Sequence, residues 1–166
     1  MDGNTRRAAV RRRLMGGLRD QKGGVIALVA LFLPVAVLCL GMVADLGMVF
    51  VARKAVQAAC DFGALAGVLE LDWDKLAAGE VRIREQDGKS VSAGIARQNL
   101  QSVASLVEVV SVTSSVVNPP ARPDPVVVVE VRFTARTLYL HWVPGLEAGF
   151  QGRALSEASV VKRTQW

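Results

Sequence analysis

Twenty-two residues without a formal charge, Gly23 to Ala44, separate Lys22 from Asp45, and this run limits what the 166-residue chain can fold into more than any other feature. A helix rises 1.5 Å per residue, so the run would extend about 33 Å, against about 30 Å for the hydrocarbon core of a bilayer. Pro34 lies in the middle. It is either part of a ligand pathway or a tolerated kink, and the kink is the simpler reading in a membrane helix, where neighbouring groups re-satisfy the freed carbonyl.

Length and flanks decide between a discarded leader and a retained anchor. A cleavable secretory signal has an apolar stretch of about 7 to 15 residues followed by an A-x-A-like site. This run is longer and ends in Met42-Val43-Ala44, with a bulky side chain where a small one is wanted. Cys39 follows Leu38 rather than the small residue a lipidation site needs, and reads as an apolar filler. Arg6, Arg7, Arg11, Arg12, Arg13, Arg19 and Lys22 precede the run, against Asp2 and Asp20. This short arm therefore carries the whole formal net charge of +5. A basic arm abutting an apolar segment is what the positive-inside rule and anionic lipid select, and it argues against nucleic acid as the partner. The expected organisation is a basic cytoplasmic arm (1–22), a transmembrane helix in the lipid bilayer (23–44), an extended stem helix (45–71) and an exported α+β domain (72–166).

Helical character continues past Asp45. "DLGMVFVARKAVQAACDFGALAGVLEL" has no proline and places Ala55, Ala59, Gly63 and Gly67 at four-residue spacing, one stripe along a helix. Glycine in a helix interior costs about 1 kcal/mol relative to alanine, so two on one stripe point to another backbone approaching closely. The covering surface is expected to be the chain's own sheet near Gly63 and a neighbouring stem near Ala55.

From Gly23 to Leu71 the chain resembles the N-terminal region of the TadG-like and TadE-like proteins of tight-adherence (Flp-type) pilus systems. The likeness rests on a glycine opening an apolar span, a proline within it, "VADLG" at its outer end, "VARK", and "QAACDFGALAG" around an aspartate. It implies a single-pass component of the bacterial inner membrane in a pilus or secretion assembly. The N-terminus would be cytoplasmic, the C-terminal part periplasmic, and the partners other assembly proteins or further copies of the chain. Gly23 and Gly24 mark the possible processing region. Pilin-type members carry a glutamate five residues after the processing glycine, where this chain has Leu28, so the resemblance leans toward unprocessed, TadG-like members. The D-x-S-x-S metal-binding signature of larger members is absent from the sequence. A processed minor pilin and a membrane-anchored adhesion module remain the alternatives.

The exported part reads as a pilin-like α+β fold, the stem packed on a small antiparallel sheet with a second helix. "DWDKLAAGEVRIREQDGK" is polar and irregular, and Val91, Ile95, Ala96, Leu100 and Val103 then recur at helical spacing. "VEVVSVTSSVV" (107–117) and "VVVVEVRFTARTLYL" (126–140) are rich in β-branched residues, and Val127, Val129, Val131, Phe133 and Ala135 alternate with polar neighbours. The proline-rich "NPPARPDP" joins them by a broad loop, and "GRALSEASVVKR" (152–163) supplies a third strand. Between the last two, Tyr139, Trp142 and Phe150 form either a hydrophobic plug over the core or an anchor at the membrane interface or a subunit contact.

Catalytic machinery is not legible. His141 is the single histidine and sits between Leu140 and Trp142, no His/Cys cluster has metal spacing, and no glycine-rich loop joins a strand to a helix. Asp72 and Asp74 flank Trp73 and read as a solvated loop. No catalytic residue, metal or cofactor is expected, and the protein reads as non-enzymatic. Cys39 and Cys60 would stand about 31 Å apart on one helix, beyond the roughly 7 Å that a disulfide bridges. Only an intermolecular bond through Cys60 is conceivable, and a free, packed thiol is the simpler reading.

Overall fold

The computed structural model describes residues 21–140, 145 and 149–161. The chain falls into two compact units, the first ending at Val43 and the second beginning at Ala44. The first contributes the start of helix α1, Gln21–Val68, which runs through Pro34 and crosses the unit boundary. Every described side chain from 24 to 40 is exposed, so this part of α1 presents an apolar surface on all sides, and α1 is long and apolar enough to cross a membrane. A helix that is apolar all round needs a lipid or protein environment to cover it.

The second unit is an α+β fold. After α1 come a short helix α2 (Trp73–Ala77), helix α3 (Glu85–Gln101) and strands β1 (Val107–Val117), β2 (Val126–Ala135) and β3 (Phe150–Ser159). The strands form one antiparallel sheet in the order β1-β2-β3. Val107 pairs with Ala135 and Val117 with Val126 on one side, and Val126 with Ser159 and Ala135 with Phe150 on the other. The register shifts between Val109 and Ser111, leaving Val110 exposed at a bulge.

The alternation expected in β2 defines the core. Val127, Val129, Val131, Phe133 and Ala135 are buried, and the helical residues Ala52, Val56, Cys60, Ala64, Ala96 and Leu100 join the same cluster. On the other face Glu130 accepts hydrogen bonds from Arg132 (3.0 Å) and Arg153 (2.7 Å), which hold its carboxyl below the usual range. One sheet face is therefore packed and one is wet, as antiparallel sheets allow.

Several boundaries move. The stem ends at Val68 rather than Leu71, and Leu71 instead bridges Ile83. The stretch expected to be irregular contains α2, whose N-cap is Asp72, accepting from the Lys75 N–H at 3.2 Å. The second helix starts at Glu85, and β2 stops at Ala135. The third strand begins at Phe150, while residues 162 and 163 lie outside the described residues. The proline loop runs from Asn118 to Pro125, and the Asn118 amide clamps Ile83, accepting from its N–H and donating to its C=O, both at 2.9 Å.

Candidate functional site

The residues that connect α1 to the rest of the second unit lie on one face of α1. Asp45 is buried and, two turns on, Ala52, Val56, Ala59, Cys60, Gly63, Ala64 and Gly67 are buried at three- and four-residue spacing, the helical signature of a face against a core. Of the four small stripe residues, Ala59, Gly63 and Gly67 are buried and Ala55 is half-buried.

Helix α3 lies against the glycines. A Cβ on Gly63 would stand 2.7 Å from the Ser92 carbonyl oxygen and 3.0 Å from Ala96 Cβ. One on Gly67 would stand 2.7 Å from Ser92 Cβ, 2.8 Å from the Gly88 carbonyl oxygen and 3.1 Å from Val127. The facing stripe of α3 is itself small, with Gly88, Ser92 and Ala96 buried at the same spacing. Close approach of two helices needs small residues on both. The α3 half of this contact was missed because glycine and serine give no hydrophobic periodicity. Buried Ser92 also shares a 2.5 Å hydroxyl contact with Ser114 of β1, and Gln57 of α1 donates to the Leu155 carbonyl of β3 at 3.0 Å.

The second construction is a buried carboxylate that sequence reading passed over as the first residue beyond the span. Asp45 is 0% exposed. Its Oδ1 accepts from the Leu138 N–H at 2.9 Å, and its Oδ2 accepts from Tyr139 at 2.7 Å and Leu140 at 2.5 Å. A buried charge is tolerated when hydrogen bonds replace its hydration. The available signal was an aspartate at the abrupt end of an apolar run.

Asp45 thereby fixes the segment that carries the aromatic residues. Leu138 is 66% and Tyr139 51% exposed, and Phe150, at the start of β3, is also exposed. Of the expected aromatic group, Tyr139 and Phe150 are exposed rather than packed over the core, which α1 and α3 close beneath β2. His141 and Trp142 lie outside the described residues, as do residues 1–20 of the basic arm. Gly23 and Gly24 fall inside α1, and a Cβ on Gly24 would meet nothing within 4 Å.

The outward side of the stem is apolar as well, with Phe62, Leu65 and Leu69 exposed at three- and four-residue spacing and Trp73 exposed beyond them. A groove of about 480 Å³ lies between Glu80, Val81 and Arg82 and the prolines 119, 120, 123 and 125. Among the described residues no group of three or more His, Cys, Asp or Glu could hold a metal ion. Cys39 and Cys60 are both free. Burial, and secondarily the charge of Asp61, pushes the Cys60 thiol up to about 11.

No curated protein and no solved structure matches the chain. Residues 23–73, 51 of the 166, match the family described as putative Flp pilus-assembly TadE/G-like, and this segment takes in nearly all of α1 and the Asp45 and small-residue positions.

Proposed function

We propose that the protein is a single-span inner-membrane component of a tight-adherence (Flp-type) pilus or related secretion assembly, with the N-terminus cytoplasmic and the α+β unit periplasmic. It works by helix packing and protein contacts rather than by chemistry. The observation carrying this reading is the coincidence of the family match with α1. That helix begins as an apolar rod exposed on all sides and becomes a stem packed on one side. The seven basic residues before the apolar run support the orientation. The packed side of the stem is occupied within the chain, which leaves Ala55 and the exposed Phe62, Leu65 and Leu69 for other assembly proteins or further copies.

Two measurements test the reading. A periplasm-active reporter fused after Trp166 should be active, and the tagged full-length protein should co-purify with pilus-assembly proteins from membranes. Activity of a cytoplasm-only reporter, or purification free of every pilus-assembly protein, would defeat it.

A processed minor pilin is the second reading, favoured by the architecture itself, a long apolar N-terminal helix followed by a three-stranded antiparallel sheet. Leu28 argues against processing. Mass spectrometry of the membrane-extracted protein separates the two: residues preceding Gly23 are expected, and a mature terminus at Gly24 or Val25 would favour the pilin.

A further inference from the structure

The lipid-compatible exterior of α1 does not stop where the uncharged run stops. Leu46 to Ala52 carry no charge, and the next charges in sequence are Arg53 and Lys54, both exposed at the helix surface. Between Lys22 and Arg53 the only ionisable carboxylate is Asp45, and it presents nothing to the surroundings, because it is fully buried and bonded to the 138–140 backbone. From Gly23 to Ala52 the helix therefore offers about 45 Å of uncharged exterior, which exceeds the hydrocarbon core and equals a bilayer with its headgroup layers, about 40 to 45 Å.

The surface around Asp45 is built to match. Leu46, Phe50 and Val51 are exposed on α1, and Leu138 and Tyr139 are exposed on the segment that Asp45 holds. Their backbone nitrogens are 2.9 and 2.7 Å from its carboxylate, so these two residues stand at the depth of Asp45 along the helix. That depth is eight residues, about 12 Å, short of Arg53. A tyrosine and aliphatic residues below a pair of cations form the order of groups found across an outer headgroup layer, with aromatic and aliphatic side chains at the acyl boundary and Lys or Arg among the phosphates.

We propose that the outer leaflet reaches Arg53 and Lys54, and that Leu46, Phe50, Val51, Leu138 and Tyr139 are lipid contacts, with the Asp45 hydrogen bonds acting as a latch that presses the 138–140 segment into the headgroup layer. Phe62, Leu65 and Leu69 lie beyond the cations and belong to protein partners. The inference rests on residues 23–44 spanning the bilayer.

The test is site-directed spin labelling of the full chain in vesicles of phosphatidylethanolamine and phosphatidylglycerol. Single cysteines replace Phe50, Leu138 or Tyr139, with Leu31→Cys as the lipid reference and Gln98→Cys as the aqueous one. Cys39→Ser/Cys60→Ala is the background, so that each introduced cysteine is the single thiol of the chain. Collisions with oxygen relative to a water-soluble nickel chelate should be close at all three sites to those at Leu31→Cys, and several-fold above those at Gln98→Cys. Nickel access equal to that at Gln98→Cys would overturn the proposal while leaving the span intact. Low access to both reagents would overturn it in favour of contact between copies. A lipid-inaccessible Leu31→Cys would remove the span itself, and with it both readings.

Discussion

The Tyr139 N–H donates to Asp45 Oδ2 at 2.7 Å across a sequence separation of 94 residues, and this bond joins the foot of the stem to the segment that follows the central strand. With the Leu138 and Leu140 bonds it gives three backbone donors to one carboxylate among the described residues. Removing the acceptor leaves part-buried donors unsatisfied, at about 1 to 3 kcal/mol for the first such group. Asp45→Ala should therefore destabilise the second unit by about 3 kcal/mol, and Asp45→Asn, which keeps one acceptor, by about half that. Limited trypsinolysis reads the same latch, since exposed Arg136 precedes it. Cleavage after Arg136 should accelerate in both variants, and unchanged cleavage with an unchanged melting temperature would show that the latch carries no energy.

Beside that latch, the Thr137 hydroxyl oxygen is buried and has no hydrogen-bond partner among the described residues. Replacing an unpaired buried hydroxyl by a methyl group removes a desolvation penalty without leaving an orphan. Thr137→Val should raise stability by about 1 kcal/mol, seen as a melting temperature higher by about 3 °C. A drop instead would mean that the hydroxyl is satisfied in solution.

The crossing of α1 and α3 separates two kinds of glycine. Gly67→Ala would force a methyl group to within 2.8 Å of the Gly88 carbonyl and 2.7 Å of Ser92 Cβ, and neither is the tip of a flexible side chain. Overpacking of this kind costs about 1 to 3 kcal/mol. Gly94 is in α3, and a methyl group added there would meet nothing within 4 Å, so Gly94→Ala should stabilise by about 0.5 to 1 kcal/mol through helix propensity. Thermal melting of the two variants in detergent should move in opposite directions.

The parts of the fold legible in the sequence were those whose side chains report their own burial. β1 was readable to its ends because β-branched residues fill it, and the buried set of β2 because Val127, Val129, Val131, Phe133 and Ala135 alternate with polar neighbours. The start of α3 was not, because its buried face begins with Gly88 and Ser92, where burial is a matter of size rather than hydrophobicity. The small stripe on α1 was visible through the unfavourable propensity of its glycines, but its partner was expected to be the sheet or another stem. The nearest atoms at Gly63 belong instead to α3. Asp45 was hidden for a different reason: its donors among the described residues lie 93 to 95 residues away, and local sequence carries no trace of them.

Cys60 offers a pH test of the packed stem. Its thiol is pushed up to about 11 from 9.0, first by burial and then by Asp61. A raised pKa of this kind favours the fold fully below the unfolded value, and that contribution is lost as pH rises from about 9 toward 11. Unfolding free energy should therefore fall more steeply over this window in the parent chain than in Cys60→Ala, where other titrating groups are unchanged. The native thiol should also resist iodoacetamide near neutral pH and react on unfolding. Parallel pH curves for the two proteins would show that Cys60 is hydrated in solution.

The last prediction separates folding from assembly along the stem. Gly63 is buried against α3, whereas Ala55 is half-buried and Phe62 and Leu65 are exposed. Gly63→Leu must place a branched side chain where even a methyl group meets the Ser92 carbonyl at 2.7 Å. It should lower melting temperature and abundance in the membrane, at a cost of about 3 kcal/mol or more. Ala55→Leu has space on one side, and Phe62→Ser and Leu65→Ser remove apolar surface that the chain itself does not cover, so surface changes of this kind should leave stability within about 0.5 kcal/mol. If the outward side of the stem is where assembly proteins bind, these three variants should accumulate normally and still lose co-purification and piliation. The physical basis is the loss of apolar area from an interface, about 25 cal/mol per Å² buried. Normal piliation in Ala55→Leu and in the Phe62→Ser/Leu65→Ser double variant would confine the stem's packing to its own chain, and assembly contacts would then have to lie elsewhere on the second unit.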